Sequence, residues 1–162
     1  MKIRPYKSAD FNTIKTWVKD KQSHALWCAN LIPYPLQKHS FEKTLKEFSK
    51  NKDMPFVALN NDAVIGFFCC GILANTQEAK LKFIIISPEF RGKGYGKEMV
   101  SLAVKTVFDN DQAKSVQLNV FSNNKQAKNC YLRVGFTERS IIENAFCFNN
   151  EMWAKCNMVI KK

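Results

Sequence analysis

One stretch of this chain predicts how the rest is arranged: Phe83-Ile84-Ile85-Ile86-Ser87-Pro88-Glu89-Phe90-Arg91-Gly92-Lys93-Gly94-Tyr95-Gly96-Lys97-Glu98-Met99. The run from Phe83 to Ile86 is continuously apolar, which is typical of a strand covered on both faces. Pro88 ends that strand, because proline lacks an N–H group and restricts the residue before it. Beyond it, three glycines at alternate positions allow a sharp turn with exposed backbone N–H groups. The stretch therefore predicts a strand, a tight loop and a helix.

The predicted helix makes the loop a candidate anion site. Its apolar residues share one helical face, at Met99, Leu102, Ala103 and Val107. The first N–H groups of a helix lack partners within it, and the positive end of the helix dipole attracts an anion by roughly 0.3–1 kcal/mol. The loop and first turn also carry three cations, Arg91, Lys93 and Lys97. The sequence therefore predicts a phosphate or pyrophosphate site.

The spacing of the loop excludes two common phosphate ligands. A nucleoside triphosphate loop needs Ser or Thr after its lysine, and Lys97 is followed by Glu98. A dinucleotide fingerprint needs a third glycine at position 97. The segment Arg91-Gly92-Lys93-Gly94-Tyr95-Gly96 instead resembles the Arg/Gln-x-x-Gly-x-Gly/Ala loop of the GNAT superfamily of acyl-CoA-dependent N-acyltransferases. A purely structural strand-to-helix turn is the alternative.

A second motif lies downstream. After the extended run from Ser115 to Phe121, Asn123 and Gln126 form a predicted capping pair and Gly135 ends the helix. The same segment, from Asn124 to Phe136, resembles the second GNAT signature, Asn-x-x-Ala-x-x-x-Tyr-x-x-x-Gly-Phe. The two motifs carry the resemblance over residues 79 to 138.

The resemblance implies an α/β fold with a central mixed, mostly antiparallel sheet of six to seven strands and helices on both faces. It also implies acetyl-CoA (CoA) as cofactor and an amine as the second substrate. Its pyrophosphate is expected on the loop, and its pantetheine arm along the strand edge. The implied cofactor-binding residues are Ile84, Ile85, Ile86, Arg91, Gly92, Lys93, Gly94, Tyr95, Gly96, Lys97 and Asn124.

The resemblance further implies two catalytic groups. The backbone N–H of Ile86 is a fixed donor for the oxyanion that forms during acyl transfer. Tyr131 occupies the position of the family's general acid, which returns a proton to the sulfur of CoA. The alternative for Tyr131 is a core tyrosine on a stripe with Ala127, Cys130 and Val134.

The general base is where the sequence departs from the family. Positions that hold glutamate in many members hold Lys80 and Asn119 here. A water chain, Glu78, Glu143 or His24 could take the proton of the amine, and none is assigned. The gap also admits a protein that binds acyl-CoA without turnover.

Composition sets the outer bounds. A chain of 162 residues with 46% hydrophobic residues predicts one folded domain, residues 1–162. The longest mostly apolar run, Val64 to Ala74, is too short to span a bilayer and no signal peptide is evident, so a cytoplasmic protein without membrane contact is expected. The six cysteines predict buried free thiols, and no metal site is predicted.

The net charge of +11 suits a polyanionic ligand such as CoA. Its lysines are dispersed, which is typical of a solvated surface. A basic protein bound to RNA or the ribosome is the less favoured alternative, since no nucleic-acid-binding motif accompanies the charge. Homodimerisation is left open.

The remaining elements follow from local patterns. We predict a strand near residues 1–6, a helix from Phe11 that ends near Asp20, and a helix from Ser40. Hairpins are predicted at residues 55–74, around Asn60-Asn61-Asp62, and at residues 137–160, around Asn149-Asn150. A third strand runs from about Ala79 to Ile86, after the turn at residues 75–78.

The sequence limits the class of the acceptor amine but does not identify it. The segments expected to form its site, residues 20–40 and 138–152, contain aromatic residues and few acids. Polycationic aminoglycosides need several carboxylates, so they are disfavoured. A peptide amine, a small amine or an amino acid remains.

Overall fold

The computed structural model describes residues 1–73, 76–110 and 113–162. Within these ranges the chain forms one sheet of seven strands in the order β1-β2-β3-β4-β5-β7-β6. Only β4 and β5 are parallel; the other neighbours are antiparallel. The strands are β1 (Lys2–Pro5), β2 (Met54–Asn60), β3 (Ala63–Ile72), β4 (Glu78–Ile86), β5 (Ser115–Phe121), β6 (Thr137–Phe148) and β7 (Glu151–Lys161). The predicted mixed, mostly antiparallel sheet is confirmed.

Five α-helices accompany the sheet in the described part of the chain: α1 (Phe11–Ile14), α2 (Lys21–Cys28), α3 (Lys38–Ser49), α4 (Tyr95–Asp109) and α5 (Lys125–Val134). The predicted order of elements is confirmed. The first helix is shorter than predicted, because α1 passes into a 3₁₀ turn over Lys15–Trp17. Asp20 does not end that helix. Its side chain accepts a hydrogen bond from the Ser23 N–H, so it caps the start of α2.

The two faces of the sheet carry separate cores. On one face, α4 and α5 pack through a cluster that includes Met99, Val100, Ala103, Leu118 and Met158. On the other, α1, α2 and α3 pack through a cluster that includes Phe11, Ile14, Phe41, Leu45 and Phe67. Helices on both faces are therefore observed, as predicted, and strand alternation decides which face each side chain of the sheet meets.

The parallel pair β4 and β5 separates part of the way along. Its pairing runs from Glu78 opposite Ser115 to Leu81 opposite Leu118. Beyond that point β4 continues five residues to Ile86 without β5 beside it, while β5 is paired on its other side by β7. A cleft opens between the two strands at the centre of the sheet.

A bulge in β4 lies directly at this cleft. The register with β3 shifts between Phe67 and Cys69, and Phe83 has a φ of 52°. Lys82 and Phe83 consequently both reach the same side, where each contacts the ring of Phe48. A bulge of this kind bends a strand and turns its backbone groups in a new direction.

The predicted hairpins are observed. The central turn residues Asn61 and Asp62, and likewise Asn149 and Asn150, have positive φ values, as two-residue hairpin turns require. The strand β3 is described as far as Ile72. The predicted strand end at Ala74 and the start of the following turn at Asn75 lie outside the described residues.

The cysteines agree only in part with their prediction. All six are free thiols, and Cys28, Cys69 and Cys156 are buried. Cys147 is exposed, because it lies on β6 at the edge of the sheet. Among the described residues, no helix combines the length and the apolar character that crossing a membrane would require.

Candidate active site

A cavity of about 920 Å³ occupies the cleft between β4 and β5. Its walls come from the free end of β4, the loop and first turns of α4, one face of α5, and side chains of α2, α3 and β7. The strand β4 connects its two ends. Lys80 lines one end, and Ile86 lies six residues further, on the order of 20 Å along an extended strand.

The glycine loop at the Ile86 end is shaped for an anion. Gly92 and Gly94 have φ values of 74° and 88°, which side-chain-bearing residues rarely adopt. A Cβ atom at either position would meet no protein atom within 4 Å, so the space before the loop is open. α4 begins directly after Gly94, which has no side chain to cap its N–H groups. Successive N–H groups in such a turn form a concave anion site.

Arg91 fixes the loop to the end of β4. Its Nε atom donates a hydrogen bond to the Ile86 carbonyl oxygen over 3.0 Å. Its other guanidinium N–H groups make no hydrogen bond to a described residue, and the side chain lines the cavity. Burial lowers the pKa of Arg91, although a guanidinium stays charged at any physiological pH. Arg91 and Lys97 therefore offer positive charge beside the open amides.

The N–H of Ile86 points into the cleft. The Ser87 N–H donates to the Ile65 carbonyl oxygen over 2.8 Å, so that residue pair is hydrogen-bonded across β3 and β4. In an antiparallel ladder such pairs alternate with pairs whose backbone groups point away. The next pair, Ile86 opposite Gly66, is of the second type. The free edge of β4 thus presents an ordered donor to the cavity.

The second motif forms α5, with one correction. The cap of the helix is Asn124, whose side-chain oxygen accepts a hydrogen bond from the Ala127 N–H over 3.3 Å; the predicted cap was Asn123. Gly135, with a φ of 112°, ends the helix as predicted. Asn124 also lines the cavity, so the residue that fixes the start of α5 faces the cleft as well.

Tyr131 projects from α5 into the core and reaches the cavity wall. Only 6% of the residue is exposed. Burial, with the neighbouring Cys130 thiol, raises the pKa of Tyr131 well above its usual value. Its hydroxyl makes no hydrogen bond to any described residue. The hydroxyl oxygen nevertheless keeps some contact with solvent. The hydroxyl therefore carries a proton and is available to a ligand in the cavity.

Nine of the predicted cofactor-binding residues line this cavity: Ile84, Ile85, Ile86, Arg91, Gly92, Gly94, Gly96, Lys97 and Asn124. The side chains of Lys93 and Tyr95 do not. Tyr95 packs edge-on against Phe90 and accepts a hydrogen bond from Asn60. Lys93 and Tyr95 were predicted to bind the cofactor, and they could do so only through their backbone N–H groups in the loop.

The candidate general bases lie away from the cavity. Glu78 is held by Arg139 at 2.7 Å and by Ser115 at 3.1 Å, and although burial opposes ionisation these bonds lower its pKa. Glu143 is exposed on β6. His24 is buried, with Asn30 and Cys28 as its neighbours, and burial lowers its pKa. Among the described residues that line the cavity, none is Asp, Glu or His.

Three features of the site were not predicted from the sequence. The Trp27 indole Nε1 donates to the Phe83 carbonyl oxygen over 2.8 Å and holds the bulge. Lys82 pairs with the buried carboxylate of Asp53 at 2.6 Å. Lys155, from β7, lines the same cavity as Lys80, and its charge lowers the pKa of Lys80. Each joins residues more than 25 positions apart, so no local pattern could have revealed them.

Comparison with known proteins identifies the family. Residues 13–136 match the acetyltransferase (GNAT) family. The chain belongs to the GNAT family of acetyltransferases, which confirms the predicted fold and enzyme class and acetyl-CoA as the family's cofactor.

Two similar proteins are N-acetyltransferases by description. The chain is 31% identical over 91 residues to the 5-NmdU N-acetyltransferase of Pseudomonas phage PaMx11, a match that spans 56% of this chain and 62% of that protein, under two thirds of its length. It is 28% identical over 133 residues to the putative [ribosomal protein bS18]-alanine N-acetyltransferase of Bacillus subtilis, spanning 80% of this chain and 85% of that protein.

A solved structure of the same fold comes from Vibrio cholerae. Its spermidine N-acetyltransferase, in complex with CoA and spermine, superposes with a TM-score of 0.83 over 99% of this chain and 94% of that chain. The identity is 21%, so the likeness concerns the fold.

Proposed function

We propose that this chain transfers the acetyl group of acetyl-CoA directly to a primary amine of a small molecule or of a peptide or protein N-terminus. The observation that carries the proposal is that one cavity brings together the anion loop, the Ile86 N–H and the Tyr131 hydroxyl. The amine nitrogen attacks the thioester carbon, the carbon–sulfur bond breaks, and the products are an amide and CoA thiol.

The residues present fit the cofactor. Open N–H groups over residues 92–97, flanked by Arg91 and Lys97, suit a diphosphate. The unpaired edge of β4 over Ile84–Ile86 suits the amides of a pantetheine arm, as edge strands pair with extended amide chains. When bound, acetyl-CoA supplies the activated acyl group.

Two groups of the chain would act on the reacting atoms. The Ile86 N–H is positioned before the reaction begins, so it can stabilise the charge that develops on the carbonyl oxygen. The Tyr131 O–H gives its proton to the departing sulfur, and its raised pKa keeps that proton in place until a strong base forms beside it. The alternative is a tyrosine that serves only for packing. It does not explain why the buried hydroxyl has no hydrogen-bond partner, since buried tyrosine hydroxyls usually find one.

The proton of the amine has no carboxylate or imidazole to accept it among the described cavity-lining residues. We infer that it leaves through water, and that the amine reacts as the neutral fraction present in solution. The same observation favours one alternative, a protein that binds acyl-CoA without turnover.

Thiol release from acetyl-CoA separates the two functions. A panel of primary amines is added to the protein with acetyl-CoA, and free thiol and acetylated amine are measured together with cofactor affinity by calorimetry. Thiol release that depends on the amine supports the transferase. Tight cofactor binding with no release for any amine would establish the non-enzyme instead, and absence of binding would remove both.

A further inference from the structure

Donors from three strands line the side of the cavity that follows β4, β5 and β7. Lys80, Asn119 and Lys155 lie on β4, β5 and β7. They share one face of the sheet, because their chain neighbours belong to the core under α4 and α5: Leu81, Leu118, Val120 and Cys156. Strand alternation turns the three side chains to the face that carries α1, α2 and α3, where all three line the cavity.

The two lysines here have no ion-pair partner among the described residues. Neither Lys80 nor Lys155 makes a hydrogen bond or ion pair in the part of the chain that the structure describes. Burial, then the charges of Lys82 and Lys155, lower the pKa of Lys80. A partly buried cation whose neighbours repel it gains from an anionic ligand.

The nearby acids are already paired. Asp53 is bound to Lys82 at 2.6 Å, and Glu78 is bound to Arg139 at 2.7 Å. Neither carboxylate lines the cavity. The positive charge of Lys80 and Lys155 therefore remains directed at whatever enters.

Asn119 adds a neutral donor. Its side-chain oxygen accepts a hydrogen bond from Asn157 over 2.8 Å, and Asn157 also donates to the Gln117 oxygen over 2.8 Å. These bonds fix the Asn119 amide so that its NH₂ group remains unpaired among the described residues. Two ammonium groups and one amide NH₂ are donors only, and their natural ligand is an oxyanion.

Building on the transfer activity proposed above, we propose that the acceptor amine carries an oxyanion group, a carboxylate or a phosphate, that Lys80, Lys155 and Asn119 bind. The acceptor is then an amino acid, a peptide whose N-terminus is followed by an acidic residue, or a phosphorylated amine. A polyamine is disfavoured, because its additional ammonium groups would meet Lys80, Lys82 and Lys155 without a carboxylate in the cavity wall.

The charges of Lys80 and Lys155 would also help the amine to lose its proton in a site that has no general base. Positive charge near an amine disfavours its protonated form and lowers its pKa. The oxyanion of the acceptor supplies the attraction that brings the molecule in, while the lysines raise the neutral fraction of its amine. Recognition and activation of the acceptor would thus come from the same residues.

Matched pairs of acceptors test the proposal. Glycine, β-alanine and 4-aminobutyrate are each compared with their amides, peptides Ala-Asp-Gly and Ala-Glu-Gly with Ala-Asn-Gly and Ala-Gln-Gly, and phosphoethanolamine with ethanolamine; spermidine is the cationic arm. We expect at least one acidic member to exceed its uncharged twin by 10-fold or more in kcat/KM. The carboxylate and phosphate arms distinguish the two sources of the oxyanion.

Lysine variants locate the effect. In the double variant K80Q/K155Q the preference should fall below about 3-fold, because kcat/KM falls more for the acidic member than for its uncharged twin, while acetyl-CoA affinity stays unchanged. Lys161→Gln, on the same strand β7 but exposed and outside the cavity, is the matched control and should keep the full preference. Circular dichroism melting checks that each variant is folded.

The outcomes separate the two proposals. Thiol release with no acidic preference, or with a preference that survives K80Q/K155Q, overturns the acceptor class while the transferase stands. Preference for spermidine over all acidic amines also overturns it. Cofactor binding with no thiol release from any arm overturns the transferase itself.

Discussion

The two ends of the active-site cavity are built by different means. The end proposed to bind the cofactor, called the cofactor end, is made from backbone: glycines with positive φ, the start of α4 and the unpaired edge of β4, all within residues 84–97. The part proposed to bind the acceptor, called the acceptor end, is made from side chains on separate elements, including Trp27 on α2, Lys80 on β4 and Lys155 on β7. A backbone site depends on a short contiguous motif, whereas a side-chain site depends on the assembled fold.

The largest effect is expected where the two ends meet. Tyr131→Phe removes the proton donor and should lower turnover by roughly 10²–10⁴-fold while acetyl-CoA affinity stays within about 3-fold. Steady-state thiol release and calorimetry measure the two quantities. Tyr34→Phe, which removes a hydroxyl outside this cavity, is the control. Normal turnover in Tyr131→Phe would return that residue to a packing role.

A change in the cofactor end should act on binding. Gly94→Asp places a side chain at a φ of 88° and a negative charge before the anion site, so acetyl-CoA affinity should fall by roughly 10²–10³-fold. Gly94→Asn is isosteric, uncharged and tolerant of positive φ, and should lose about 10-fold or less. Equal losses in the two variants would show that charge at this loop is irrelevant.

The ion pair of Lys82 with Asp53 lies next to the acceptor end, and removing both of its charges should cost less stability than removing one. Lys82→Met leaves the Asp53 carboxylate, of which 3% is exposed, without its partner and should destabilise the fold by about 3 kcal/mol. The double variant K82M/D53N should recover most of that loss. Urea denaturation gives the free energies of unfolding. Additive losses in the double variant would contradict the pairing.

The smallest effect concerns the bulge in β4. Trp27→Phe removes the N–H that binds the Phe83 carbonyl oxygen, at an expected cost of about 1 kcal/mol in unfolding free energy beyond the loss of ring area. Trp17→Phe, in the same cavity wall, makes the same ring change at a more buried position, without a hydrogen bond to a described residue. Identical unfolding curves for the two variants would mean that the bulge holds without Trp27.

Features built from contiguous residues were predictable from the sequence. The order of strands and helices, the loop after Ile86 and the helix that ends at Gly135 follow from local patterns, and the structure confirms them. The cap of α5 was misplaced by one residue, because Asn123 and Asn124 offer the same chemistry and only the backbone decides between them. Asp20 caps the start of α2 instead of ending the first helix, because a single polar residue can mark either side of a helix boundary.

The acceptor end could not be predicted in the same way. Lys80 and Lys155 are 75 positions apart, and they line one cavity only because β7 pairs with β5. The bulge at Phe83 lies at the start of the apolar run Phe83 to Ile86, where no glycine or proline marks it. The pairing of Asp53 with Lys82 likewise appears only when β2, β3 and β4 are assembled.

A crystal structure of the protein with CoA would show whether the glycine loop and Tyr131 both contact the cofactor. We expect the diphosphate within hydrogen-bond distance of the backbone N–H groups of residues 92–97. We also expect the sulfur between the Ile86 N–H and the Tyr131 hydroxyl, within about 3–3.5 Å of the latter. A sulfur remote from Tyr131, or a diphosphate bound outside this loop, would contradict these expectations.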